Sequence, residues 1–345
     1  KHKTLLLFKL LQRIDNMNFF KVIKNCIVPT FLGCFLGFSV CWLLFASQNF
    51  SNSCGTKLKF IKPNLDCEQA DDKFNTLESL KSKLEVSIEG FKKTGKAKRI
   101  SVFVRDLNTS KFVGIHDGEI YYMASLLKTP LLIGGFKLAE VEPKILDQAL
   151  IYNGVPDLYE DQIISVSNKL KKGETYTIKE LMNRAVIYSD NTAAQILLDY
   201  FPEGFLDRIM QALGVQIVKP TGEVEDFVTA RTYANIFRVL YNSSYLTREY
   251  SNQALDILTK TEFKDGITAR LPKDLVVAHK FAERTLVYGD NSVALEQIHE
   301  CGLIYSRNFK DPYILCVLTE GNSYNDLKYV LAEISLSVYN EMIED

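Results

Sequence analysis

Apolar residues recur along this chain with two different periods. Leu77, Leu80, Leu84, Ile88 and Phe91 fall at helical spacing and predict a helix across Phe74 to Phe91. Arg99 to Leu107 and Lys111 to His116 are rich in β-formers and read as two strands. Asn108-Thr109-Ser110 between them reads as a hairpin turn. Met123 to Phe136 is apolar enough to be a buried helix. From Glu142 to Phe237 the pattern is helical with short loops. Thr177, with Glu180 three residues on, forms a capping box at one helix start, and Asn191 to Phe201 forms another helix. Val276 to Arg284, Glu296 to Ser306 and Pro312 to Leu318 read as strands. Asn325 to Met342 is an amphipathic helix whose apolar residues are Leu327, Val330, Leu331, Ile334, Leu336 and Val338.

The order is therefore helix, two strands, helical block, three strands, helix. An α+β, two-lobe fold follows: a five-stranded antiparallel sheet flanked by the first and last helices of the domain, plus an all-helical lobe. A cleft between the lobes is the natural place for a site.

A different pattern precedes this domain. Residues 26–46 carry no charge and match the length of a transmembrane helix, with Trp42 suited to the interface. Lys1, Lys3, Lys9, Arg13, Lys21 and Lys24 precede it against one acid, Asp15, which orients the N-terminus to the cytoplasm. The expected organisation is a cytoplasmic basic segment (1–25), a transmembrane helix (26–46), a polar linker (47–73) and an extracytoplasmic domain (74–345), anchored in the cell membrane by a single pass. A cleaved signal peptide is the rival reading. Cys54 and Cys67, in the linker, can bridge in an oxidising compartment. Cys301 and Cys316 lie in apolar segments and read as buried core thiols.

Composition narrows the function classes. The chain has 345 residues and a net charge of −1, so no basic excess draws it to nucleic acid. His2, His116, His279 and His299 are scattered, and HExxH, CxxC and GxGxxG do not occur. No metal and no cofactor are expected. GxSxG is also missing, which argues against the α/β-hydrolase route to a serine nucleophile.

Three short motifs carry the chemistry. Ser125-Leu126-Leu127-Lys128 is the sole Ser-x-x-Lys, and on a helix it sets an amine beside a hydroxyl. Burial among leucines lowers a lysine pKa, and a neutral amine can serve as base to a serine nucleophile. Ser189-Asp190-Asn191 lies at a corner between two helical patterns, where these residue types also serve as ordinary caps. His279-Lys280-Phe281-Ala282 places a lysine inside a predicted strand.

In this order the three motifs resemble those of the class A β-lactamases and penicillin-binding proteins, across about Phe74 to Asp345. The resemblance implies an acyl-enzyme mechanism on a small-molecule β-lactam, a related amide or ester, or a peptidoglycan-like substrate. It implies Ser125 as nucleophile, Lys128 as base, and Ser189 as the hydroxyl passing a proton to the leaving nitrogen. Asn191 and Lys280 are implied to hold substrate, and Asp190 to be structural. The backbone N–H groups of Ser125 and Glu283 are implied to form the oxyanion hole.

Two features depart from that pattern. Lys280-Phe281-Ala282 stands where the family has Lys, Ser or Thr, and Gly, so the hydroxyl that binds the substrate carboxylate and the glycine that lets substrate approach the strand are lost, and with Phe281 a weakened affinity for β-lactam or D-Ala-D-Ala is expected. Between Gly214 and Thr229 no Glu-x-x-x-Asn occurs. Glu223 and Glu225 are the glutamates there, with Glu223 the candidate deacylation base, and slow deacylation is expected. Two alternatives stay open beside the lactam-acylating reading: a D,D-peptidase or esterase acting on peptidoglycan-like substrates, and a non-hydrolytic lactam-binding protein.

Overall fold

The computed structural model describes residues 77–160, 162–215, 227–287, 293–305 and 312–344. The expected transmembrane helix, the linker and Cys54 and Cys67 lie outside them. Among the described residues no helix is long and apolar enough to cross a membrane.

Helix α1 (Glu78–Lys93) buries Leu80, Leu84 and Ile88, as its spacing predicts. Glu78 sits in its first turn and Lys92 and Lys93 in its last, each matched to the helix dipole. β1 (Arg99–Asp106) and β2 (Phe112–Ile115) form the expected hairpin. Asp106 turns it by accepting hydrogen bonds from Asn108 N at 2.7 Å and Thr109 N at 3.1 Å. β3 (Tyr121–Tyr122) is followed by a 3-10 turn, Ala124–Leu127, and then α2 (Lys128–Val141). Next come the short hairpin strands β4 (Ala149–Ile151) and β5 (Thr175–Thr177), then α3 (Ile178–Ile187), α4 (Asn191–Tyr200) and α5 (Phe205–Ala212). β6 (Phe227–Val228) pairs with β3. It is followed by α6 (Ala230–Tyr241), α7 (Arg248–Thr259), β7 (Val276–Val287), β8 (Val293–Tyr305), β9 (Tyr313–Gly321) and α8 (Tyr324–Glu344).

The five-stranded antiparallel sheet runs β2-β1-β9-β8-β7. Its central strand, β9, is buried at all nine positions, because both faces of the sheet are covered. On one face α1 and α8 close a core of Leu80, Leu84, Leu327, Val330, Leu331 and Ile334. Each such side chain stabilises the fold by about 1.5–3 kcal/mol before entropy is counted. Leu336, expected in that stripe, is only half-buried, and Ser335 takes a buried place instead. The other face carries the helical lobe, centred on α2. A Cβ on Gly135 would lie 2.5 Å from Met182 Sδ, and one on Gly134 would lie 2.7 Å from the Phe205 ring, so α3 and α5 approach α2 closely. Cys301 and Cys316 face each other on β8 and β9. They are buried as expected, but joined in a disulfide rather than free.

Three expectations change. Ser125 is not on an α-helix but in the 3-10 turn that precedes one. The block from Glu142 to Phe237 is interrupted by strands and by the irregular segments 152–160 and 162–174, which its polar, aperiodic sequence permits. β7 runs on to Val287, past Arg284, because β8 continues to pair with it.

Candidate active site

Two bent backbone segments and one straight strand build the site. Ala124, just before Ser125, has φ +45°, a left-handed conformation that L-residues seldom adopt. The turn it opens has three residues per turn, so side chains at i and i+3 eclipse. Lys128 therefore stands over Ser125, with Nζ 2.8 Å from Ser125 Oγ. Buried Leu126 pins the turn, and Tyr233 of α6 holds its backbone: the Tyr233 hydroxyl donates to Leu126 O at 2.9 Å and lies 2.9 Å from Thr129 Oγ1.

The Ser189-Asp190-Asn191 corner joins α3 to α4. Ser189 has φ +55°, at a cost of about 1–3 kcal/mol for a non-glycine residue. Asp190 fixes the corner. It caps α4 by accepting from Ala193 N at 3.0 Å, and it accepts from the Tyr159 hydroxyl at 3.2 Å. Burial raises its pKa, against those hydrogen bonds.

The corner delivers acceptors to Lys128. Nζ lies 2.6 Å from Ser189 O, 2.5 Å from Asn191 Oδ1 and 3.2 Å from Ser189 Oγ. Only 5% of Lys128 is exposed, and burial lowers its pKa to about 7 although Asp190 and Glu283 pull it upward. A neutral amine has two N–H donors and one lone pair. Ser189 O and Asn191 Oδ1 take the two donors, which leaves the lone pair for the Ser125 hydroxyl.

β7 is an edge strand that packs alongside the Ser125 turn. Lys280 on it is fully buried and donates to Ser189 Oγ at 2.9 Å and to Phe281 O at 2.7 Å. Burial, and then the Lys128 charge, hold its pKa well below the usual lysine range. Ser125, Lys128, Ser189, Asn191 and Lys280 are thus brought together.

Phe281 is buried beside the site. Side chains alternate along a strand. Ala278 and Ala282 join the core on the helical-lobe side, whereas Val277 and Phe281 join the core on the α1 and α8 side. The Phe281 ring is 3% exposed, stacks on Phe263 at 4.3 Å and lies 4.2 Å from Lys280 Nζ, so it fills that core while touching the Lys280 amine of the site. Glu283 is half-buried, and its Oε1 accepts from Ile164 N at 2.9 Å. Burial raises its pKa, partly offset by that bond and by Lys280 and Lys128. Glu223 and Glu225 lie outside the described residues.

Sequence reasoning missed Gln162 and Tyr233. Gln162 Nε2 donates to Ser189 O at 3.1 Å, and its Oε1 accepts from Asn191 N at 2.9 Å, so one amide braces the whole corner. It lies in a polar stretch without periodicity, where nothing singled it out. Tyr233 was hidden in a helical pattern as one more core aromatic. Among the described residues no group of three His, Cys, Asp or Glu is placed to hold a metal ion.

Comparison with known proteins bears on this arrangement. A profile of the beta-lactamase enzyme family matches residues 79–342. The chain is similar to a beta-lactamase of Amycolatopsis lactamdurans, 27% identical over 53% of this chain and 63% of that protein, so it spans less than two thirds of that relative's length. A beta-lactamase of Bacillus licheniformis is 24% identical over 67% of this chain and 74% of that one. Among solved structures, a PBP-A mutant in acyl-enzyme complex with penicillin G superposes with a TM-score of 0.65 at 18% identity, covering 80% of this chain and all of that one (100%). An ancestral class A beta-lactamase gives 0.62 at 21% identity, covering 76% and 99% of the two chains. These structures share the fold.

Proposed function

The chain belongs to the beta-lactamase enzyme family, and from that premise we propose that it acylates Ser125 with a β-lactam or a related amide or ester. The observation that carries this reading is the Lys128 amine, buried, with its pKa lowered to about 7, and 2.8 Å from Ser125 Oγ. In the neutral form it accepts the hydroxyl proton as Oγ attacks the substrate carbonyl. The backbone N–H groups of Ser125 and Glu283 receive the oxyanion. As the C–N bond breaks, Ser189 passes its proton to the leaving nitrogen and takes one from Lys128, 3.2 Å from its Oγ, while Lys280 at 2.9 Å keeps the hydroxyl polarised. Asn191 gives its Oδ1 to Lys128, which leaves its amide N–H groups for a substrate carbonyl.

Deacylation is the slow step in this reading, because Glu-x-x-x-Asn is missing between Gly214 and Thr229. The same feature favours a second reading, a D,D-peptidase or esterase on peptidoglycan-like substrates. The PBP-A neighbour, held as an acyl-enzyme with penicillin G, supports acylation chemistry on this fold. Anchoring to the cell membrane with the domain outside rests on the uncharged segment 26–46 and the basic residues before it. The disulfide between Cys301 and Cys316 fits an oxidising compartment.

One experiment tests the core of this: intact-mass measurement after incubation with penicillin, alongside a chromogenic cephalosporin. A penicilloyl adduct on Ser125 with a burst and slow turnover supports the lactam reading. An adduct without turnover supports the peptidase reading. No adduct on Ser125 with any serine-directed acylating probe overturns the assignment of the nucleophile.

A further inference from the structure

Outside the Ser125 site, the described residues form a half-open hollow of about 360 Å³ lined by Phe103, Arg105, Gly214, Arg231, Asn235 and Arg238, among others, with Arg231 and Arg238 at its exposed rim. None of these belongs to the catalytic cluster. Arg231, Asn235 and Arg238 are four and seven residues along one face of α6, and Arg105 approaches from β1. Three guanidinium groups thus share one hollow. Asp117 pairs with Arg231 at 2.6 Å. Among the described residues neither Arg105 nor Arg238 has a carboxylate partner. Arg105 Nε is buried without a hydrogen-bond partner, and Arg238 Nε donates to the neutral Asn235 Oδ1 at 2.8 Å. The like charges act on one another: burial, then Arg238 and Arg231, lower the Arg105 pKa.

Two aromatic rings hold the arginines. Phe103 and Phe112 stack at 5.7 Å, and the Arg105 guanidinium lies 5.7 Å and 5.3 Å from their centroids. Arg231 lies 5.3 Å and 5.0 Å from the same rings. Rings take up guanidinium faces and leave the in-plane donors, the edge that recognises an oxyanion bidentately. Leaving uncompensated positive charges clustered in a hollow is unfavourable, and a bound polyanion removes that penalty.

We propose that this cavity is a binding site for a small polyanion bearing phosphate or carboxylate groups, separate from the acylation site and held chiefly by Arg105, Arg231 and Arg238. The hollow is larger than a single phosphate needs, so a molecule with two or more anionic groups fits it better than a simple ion.

The test is calorimetric titration of the purified full chain with inorganic pyrophosphate and, separately, citrate, in chloride buffer of matched ionic strength. The expected result is saturable one-site binding that persists in Ser125→Ala. Arg238→Gln and Arg105→Lys should each weaken it by about tenfold or more, the second because an ammonium lacks the two-pronged edge. Both variants should still form the acyl adduct, which shows that they fold. Pyrophosphate binding alone assigns phosphates; binding of citrate as well extends the class to polycarboxylates. No saturable binding of either probe at millimolar concentration overturns the proposal, and so does affinity unchanged by the arginine substitutions.

Discussion

The two sides of the candidate active site are built by opposite means. On the helical side, Ser125, Lys128 and Ser189 come from bent backbone, with left-handed residues at Ala124 and Ser189 and braces from Tyr233, Gln162 and Asp190. On the strand side, Lys280 comes from a regular edge strand whose next residue, Phe281, belongs to the opposite core. The amines differ accordingly. Lys128 has four oxygens within hydrogen-bond reach and two acids that favour its charge. Lys280 has one hydroxyl and one carbonyl in reach and the Phe281 ring 4.2 Å away; Lys128 opposes its charge, while Glu283 and Glu300 favour it. The helical side therefore holds the hydroxyls and the amine that the proposed proton transfer needs. The strand side supplies a buried amine that donates to the Ser189 hydroxyl and, among the described residues, lacks a carboxylate in hydrogen-bond contact.

The largest test of that contrast removes the helical unit. Ser125→Ala should abolish acyl-adduct formation, and Lys128→Ala should slow it by about 10²–10⁴-fold, the range of a positioned general base. The double variant should be little worse than the worse single one, since both act in one step. Stopped-flow labelling reads this directly. A Lys128→Ala variant that acylates at the normal rate would remove the base from the helical side.

Next in size is the strand side. Phe281→Thr recreates the hydroxyl position of the family motif, but it empties a place in the core stacked on Phe263. Truncating a buried phenylalanine costs about 3–5 kcal/mol. Loss of stability, read by thermal or denaturant unfolding, should therefore outweigh any gain in acylation. A stable Phe281→Thr variant that acylates faster would show that the residue had faced the substrate after all.

A smaller effect is expected at the brace. Tyr233→Phe removes a fully buried hydroxyl that holds Leu126 O and contacts Thr129 Oγ1, at about 1–3 kcal/mol. If the bent turn depends on that brace, acylation by Ser125 should slow as well. Intact rate with reduced stability would make Tyr233 a purely structural residue.

These residues also show what the sequence could disclose. The sheet was legible because its five strands are β-rich runs separated by turns, and α3 because Thr177 and Glu180 sit at capping-box spacing and do cap it. The Ser125–Lys128 pairing was legible for a reason indifferent to helix type, since three-residue spacing brings side chains together at 3.0 or 3.6 residues per turn. What stayed hidden depends on tertiary placement. Gln162 gains its role from a loop path, Tyr233 from which turn its hydroxyl meets, and Phe281 from the face its strand presents to each core. The two-residue strands β3 and β6 are too short for any periodicity to mark them.

The finest test concerns the charge that tunes the helical side from the strand side. With the Lys128 pKa lowered to about 7, its neutral form grows as pH rises through that value. Acylation should therefore increase with pH across the neutral range and level off above it. Burial is the main cause of the lowering, while Asp190 and Glu283 oppose it by favouring the charged amine. Removing the Glu283 charge therefore shifts the limb further down, so Glu283→Gln should acylate faster than the parent on the acid side and equally at the plateau. Gln keeps an oxygen for Ile164 N, which holds the strand in place while the charge is lost. A pH series of acylation rates for the two proteins decides it. A limb displaced to higher pH in Glu283→Gln contradicts a lysine base, because deleting a nearby negative charge can only favour the neutral amine.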